Sequence, residues 1–167
     1  MLRTLYFLAL VLGFILLQST ALNFIAINGI KPDLVLVVVI LNGFLRGTRE
    51  GAFLGFVGGV MQDLVSGGYF GLYALTNMAA GYLGGLGEGR LYRDSRVIAA
   101  GLALFCTFGA QMVFYLLLVL VGVRVFVLTA LTGIIIPASF YNALVVLLFY
   151  GLYYRSHREG LLSDGQY

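Results

Sequence analysis

The side chains able to do covalent or acid–base chemistry are few. His157, the one histidine, stands between Ser156 and Arg158 near the end of the chain and reads as a solvated tail residue. Cys106 lies midway along an apolar run with neither a second cysteine nor a histidine nearby, so metal ligation and a Cys–His dyad both lack partners. Ser19, Ser66, Ser95, Ser139, Ser156 and Ser163 have no lysine or histidine within the apolar sequence to activate them. No glycine-rich phosphate loop of the P-loop type occurs. The sequence therefore predicts no catalytic residue, no cofactor, no metal and no enzyme.

What remains is an acid, a set of amides and a glycine pattern. Asp63 is the one acid within an apolar run, and Leu64-Val65-Ser66-Gly67-Gly68 follows it. A carboxylate near a helix C-terminus opposes the helix dipole and needs donors. The nearest are the backbone N–H groups of Ser66-Gly67-Gly68, so a structural role holding that turn is expected. An ion or proton pathway is the alternative, and it lacks a relay partner deeper in the apolar sequence.

Gln18, Asn42, Gln62, Asn77, Gln111 and Asn142 place one amide on each long apolar run. Interhelical hydrogen bonding accounts for them, at about 0.6–2 kcal/mol each. A polar pocket for a small ligand is the other account, disfavoured because no acid or base is expected in that layer. Of 23 glycines, 14 fall between Gly43 and Gly89. Gly51, Gly55 and Gly59 recur every four residues with Gly58 beside them, and Gly81 and Gly85 repeat the spacing, joined by Gly84. Such spacing makes a smooth helix face for close packing. The expected use is packing within the subunit, with docking of another protein's helix as the second use, at positions such as Gly58 or Gly84.

The elements that must position these residues follow from composition. Of the 167 residues, 61% are hydrophobic and 10% charged, and mean hydropathy is +1.01. A soluble domain carries about 25% charged residues. So little polar surface excludes a water-soluble shell, and one cysteine excludes a disulfide scaffold. A net charge of +3 suits contact with anionic lipid better than nucleic acid. The apolar runs are continuous, not alternating, so helices are expected in place of a barrel.

The runs predict six transmembrane helices in a single domain, 1–167, of an all-α polytopic membrane protein. They are Leu5 to Ile27, Lys31-Pro32-Asp33 to Leu45, Gly51 to Val65, Phe70 to Gly87, Val97 to Val121, and a last span near Ile134 to Tyr154. Pro137 interrupts the final run, which predicts a short helix or re-entrant turn near Val125–Thr132 before that span. The first run continues past Ala21, which favours a retained span over a cleaved signal peptide. With the N-terminus inside, Arg3, Arg46, Arg49, Arg90, Arg93, Arg96, Arg155 and Arg158 lie within, and only Lys31 and Arg124 lie outside. That asymmetry predicts both termini in the cytoplasm. Val38 is expected to face lipid.

In order along the chain, several motifs resemble those of the MreD family, membrane proteins of the bacterial rod-shape system. They are Lys31-Pro32-Asp33-Leu34, Arg46-Gly47, Glu50-Gly51, Gly55-Phe56, Gly58-Gly59, Asp63-Leu64, Ser66-Gly67-Gly68, Gly71, Ala74-Leu75 and Gly81-Tyr82, then Pro137 with Asn142. The resemblance implies a non-catalytic role in the inner membrane. It implies pairing with an MreC-like single-span protein, in company with RodA, a class B penicillin-binding transpeptidase and MreB filaments. It also implies a fold resembling the six-helix substrate-binding subunit of energy-coupling-factor vitamin transporters, which supplies a second functional reading, small-molecule uptake. Span one has no convincing Ala-x-x-x-Ala coupling motif, since Ala9 pairs only with Gly13. Partner-contact or structural residues are then expected at Lys31, Pro32, Asp33, Gly51, Gly55, Gly58, Gly59, Asp63, Ser66, Gly67, Gly68, Gly81, Gly84, Gly85 and Asn142.

Overall fold

The computed structural model describes residues 2–20, 30–89, 91–92 and 95–159. The expected end of the first span beyond Thr20, and Arg90 and Arg93, lie outside them. All the regular elements among the described residues are helical: α1 (Leu2–Thr20), α2 (Leu34–Arg46), α3 (Thr48–Ser66), α4 (Leu72–Gly85), α5 (Arg96–Leu120), α6 (Val127–Ala130), a π turn (Leu131–Ile135) and α7 (Ile136–Glu159). Two helical runs, Arg96–Leu120 and Val127–Tyr154, are long and apolar enough to cross a membrane.

The centre of the bundle is α2. Every residue from Val35 to Leu45 is buried. A helix apolar on all faces belongs inside, and here α1, α3, α4, α5 and α7 all touch it. Val38, at 4% exposure, is therefore interior and not lipid-facing. The outer helices show the reverse pattern. Phe105, Leu120, Phe140 and Leu152 are exposed apolar residues on α5 and α7, a surface suited to hydrocarbon.

Two short connections set the arrangement. Gly47 alone joins α2 to α3, with φ of 94°, a backbone conformation that favours glycine. The loop expected around Arg46-Gly47 is thus a single residue, and Arg46 reaches Glu50 across it at 3.6 Å. Gly67, at φ of 65°, ends α3, and Gly71, at φ of 100°, starts α4. The chain reverses between them, and among the described residues α3 and α4 make the most extensive helix–helix contact.

The short helix expected near Val125–Thr132 is α6, and the π turn joins it to α7 in one helical run, so the re-entrant turn given as its alternative does not form. Proline lacks an N–H, and its ring crowds the carbonyl four residues back. The π turn takes up this misfit just before Pro137: the Ile136 N–H donates to the Leu131 carbonyl, five residues back. The Ser139 hydroxyl donates to the Ile135 carbonyl at 2.7 Å, satisfying one acceptor of the widened turn.

Candidate functional site

Two regions hold the residues singled out by the sequence. The first is a glycine seam. A Cβ on Gly51 would strike the Gly81 carbonyl, one on Gly55 the Asn77 carbonyl, and one on Gly59 the Tyr73 carbonyl. Each step of four along α3 meets a step of four along α4, so the helices run antiparallel with backbones touching. The same face of α4 reaches α2, where Gly84 lies on the Ile40 carbonyl, and Gly85 lies on Thr48 at the start of α3. Gly43 and Gly51 converge on the Gly81 carbonyl, which makes a three-helix junction. Gly58 differs: its added Cβ would meet side chains of Val35, Val39 and Val11 at 3.5–3.9 Å, an ordinary contact. Both Gly58 and Gly84 are covered by this chain's own atoms, so neither offers the open face expected for a partner helix.

The second region gathers the polar groups. Asp33 caps α2, its Oδ1 accepting the Leu36 N–H at 3.0 Å. Pro32, buried, fixes the approach to that cap, and Lys31 beside it is exposed. Gln18 of α1 donates its amide to Asp33 Oδ1 at 3.1 Å. Gln62 of α3 donates to both carboxylate oxygens, at 3.2 and 3.1 Å. Asn77 of α4 donates to Gln62 Oε1 at 2.9 Å. From α7, Asn142 accepts the Asp33 backbone N–H at 2.9 Å and reaches Thr107 of α5 at 3.4 Å. Asp33 thus links five other helices: its carboxylate holds Gln18 and Gln62, its backbone N–H holds Asn142, and Asn77 and Thr107 join through Gln62 and Asn142.

Four of the six amides in the sequence pattern join this cluster, and Gln111 lines the cavity it encloses. The exception is Asn42, at the other end of α2, which bonds the Val38 carbonyl and the Tyr153 hydroxyl. The cavity measures about 490 Å³ and is also lined by Lys31, Tyr73, Thr76, Phe114 and Ile134. Sequence reasoning took the amides as helix-to-helix bonds and set the pocket aside for want of an acid in their layer. The acid is Asp33, expected as the opening of span two and as a structural or partner-contact residue but not in the layer of the amides.

Asp63 is buried at 4% exposure and accepts three backbone N–H groups: Gly71, Tyr73 and Ala74, each at 3.0 Å. The expected donors, Ser66-Gly67-Gly68, are corrected. The reversal at Gly67 brings the start of α4 beside the last turn of α3. Gly71, at the N-cap of α4, has no side chain to cap it, so Asp63 supplies the acceptor from the preceding helix. The positive end of the α4 dipole offsets the opposing field of α3. Ser66 donates to the Asp63 backbone carbonyl at 3.3 Å, and Gly68 has open space around it.

The family model of rod shape-determining protein MreD matches residues 1–156, nearly the whole chain. No curated protein and no solved structure matches.

Proposed function

The chain belongs to the MreD family of rod shape-determining proteins, and from that premise we propose that it is a non-catalytic scaffold of cell-wall elongation. It sits in the bacterial inner membrane and pairs with an MreC-like single-span protein. RodA, a class B penicillin-binding transpeptidase and MreB filaments complete the complex. The observation that carries this reading is the family match over residues 1–156, joined to a bundle whose outer helices expose large apolar side chains.

The proposed topology has six spans with both termini cytoplasmic, in a fold akin to the substrate-binding subunit of energy-coupling-factor transporters. Eight inner against two outer Lys and Arg support it. The 13 residues of α2 rise about 20 Å, short of a hydrocarbon core of about 30 Å. This is compatible with a span because α2 is sheathed by other helices and meets little lipid. On this topology the Asp33 cluster faces outward. Periplasm-active reporters fused at Gly67 are then active, and those at Ser95 and Tyr167 silent. An active reporter at Tyr167 contradicts the topology.

The outer connections are too short for an interface of about 800 Å² per partner, so the partner helix must bind within the membrane. The glycine seam is already filled. An apolar groove of about 380 Å³ between α1 and α7, lined by Phe14, Leu17, Val38 and Phe149, offers an approach to α2. Cysteines at Leu17 or Phe149 should crosslink to the partner's span, and those at Gly58 or Gly84 should not. The functional test is deletion of the gene, which should turn rods into spheres. Intact rods together with lost vitamin uptake would overturn the scaffold and establish the uptake reading.

A further inference from the structure

The polar cluster leaves two acceptor atoms over. An acidic side chain accepting four contacts turns the amide nitrogens of Gln18 and Gln62 toward itself. Gln62 must then present its oxygen to Asn77, and Asn77 must answer with its nitrogen. The orientation of Asn77 is fixed by this chain, and its Oδ1 is left facing away from Gln62. Among the described residues, Asn77 Oδ1 and Thr76 Oγ1 have no hydrogen-bond partner. Both side chains are more than nine-tenths buried, at 1% and 4% exposure, and both line the cavity of about 490 Å³. A buried polar atom without a partner is costly, and its neighbourhood is a place to look for a ligand.

We propose that this cavity binds a primary ammonium group, carried by a phosphoethanolamine-type headgroup. Three features select that chemistry. Asn77 Oδ1 can only accept, so it needs a ligand that donates, and the Thr76 hydroxyl is able to accept from the same group. Asp33 lines the cavity, and its Oδ2 takes one of the four contacts while Oδ1 takes three, so a cation meets a carboxylate with capacity to spare. Tyr73 and Phe114, whose ring centroids lie 5.0 Å apart, line the same cavity and offer aromatic surface to a cation. Lys31, exposed on the lining, suits the phosphate that accompanies the ammonium. A trimethylated ammonium has no N–H to give, so phosphatidylcholine is the matched control. The inference rests on the cavity geometry, and its binding test reads out independently of the scaffold role.

The test uses the full chain, purified, stripped of lipid and held in detergent. Phosphatidylethanolamine, phosphatidylcholine and soluble phosphoethanolamine are added in turn, and bound adducts are counted by native mass spectrometry. Phosphatidylethanolamine should bind about tenfold or more tighter than phosphatidylcholine, the worth of one charge-assisted hydrogen bond to a buried acceptor. Thr76→Val and Asn77→Leu should each abolish that preference. Thr76→Val removes only an unpartnered hydroxyl, so its melting temperature should not fall, which separates lost binding from lost folding. Phosphoethanolamine that binds and competes identifies a soluble source for the headgroup. Competition by the intact lipid alone identifies the membrane. Equal binding of the two lipids, or a preference that survives both substitutions, overturns the proposal.

Discussion

Between α3 and α4 the chain meets itself backbone to backbone, whereas around Asp33 it meets itself through long side chains. In the seam, glycines at positions 51, 55, 59 and 81 bring carbonyls where a Cβ would sit. Such contact is stiff, because nothing lies between the helices that could rotate out of the way. Around Asp33, six helices are tied by amides with several rotatable bonds, and a cavity remains among them. The seam glycines leave no slack and carry no side-chain group to offer, which suits holding the fold. The cluster has both, which suits meeting something else.

The sharpest way to break this contrast is to load the seam. Gly55→Leu forces a side chain onto the Asn77 carbonyl and should cost about 3 kcal/mol or more. Accumulation in membranes and melting in detergent should both fall, while Gly101→Ala, where space is open, should change neither. Unchanged melting of Gly55→Leu would mean that α3 and α4 are not in contact there. Next comes the carboxylate at the foot of the seam. Asp63→Leu strands three N–H groups of α4 and should cost about 2–3 kcal/mol. Asp63→Asn keeps one acceptor oxygen and should lose about half as much. Equal loss of rod shape for both, with both proteins folded and accumulating, would show that the charge itself is needed.

Smaller effects sharpen the cluster. Asn142→Ala removes the tie from α7 to the start of α2 and should cost about 1–2 kcal/mol in melting experiments. Combined with Gln62→Ala, the loss should be less than the sum, because both residues act on Asp33. Additive losses would mean two separate sites. The smallest effect is expected at Gly58. Its open contact with valine side chains admits a methyl group, so Gly58→Ala should shift stability by less than about 1 kcal/mol, in the favourable direction if helix propensity dominates.

Much of the helical plan was legible in the sequence, because continuous apolar runs and turn glycines are local signals. Gly67 and Gly71 sit at left-handed positions where a reversal was expected. The amide on each long run was equally visible. Its meaning was not, since Gln62 lies 29 residues and Asn142 lies 109 residues from Asp33 along the chain. Only packing brings them together, and an acid before a helix gives no local sign of such distant partners. Asp63 misled for the same reason. The adjacent turn is its neighbour in sequence, but the exposed N–H groups of α4 are its neighbours in space. At Pro137 the local rule that proline ends a helix gave way to a π turn, which keeps the helix continuous at the cost of one widened turn.

The seam holds the protein together, and the Asp33 cavity is proposed as the place where it acts. Thr76→Val tests this most directly, because it removes one buried hydroxyl that bonds nothing among the described residues and leaves the shape of the side chain. The substituted protein would be expressed in a deletion strain, with its amount in the membrane, its melting in detergent and the cell width measured together. The account predicts full accumulation, melting unchanged or raised, and cells that fail to recover rod shape. Full recovery of rods at equal protein level would contradict it.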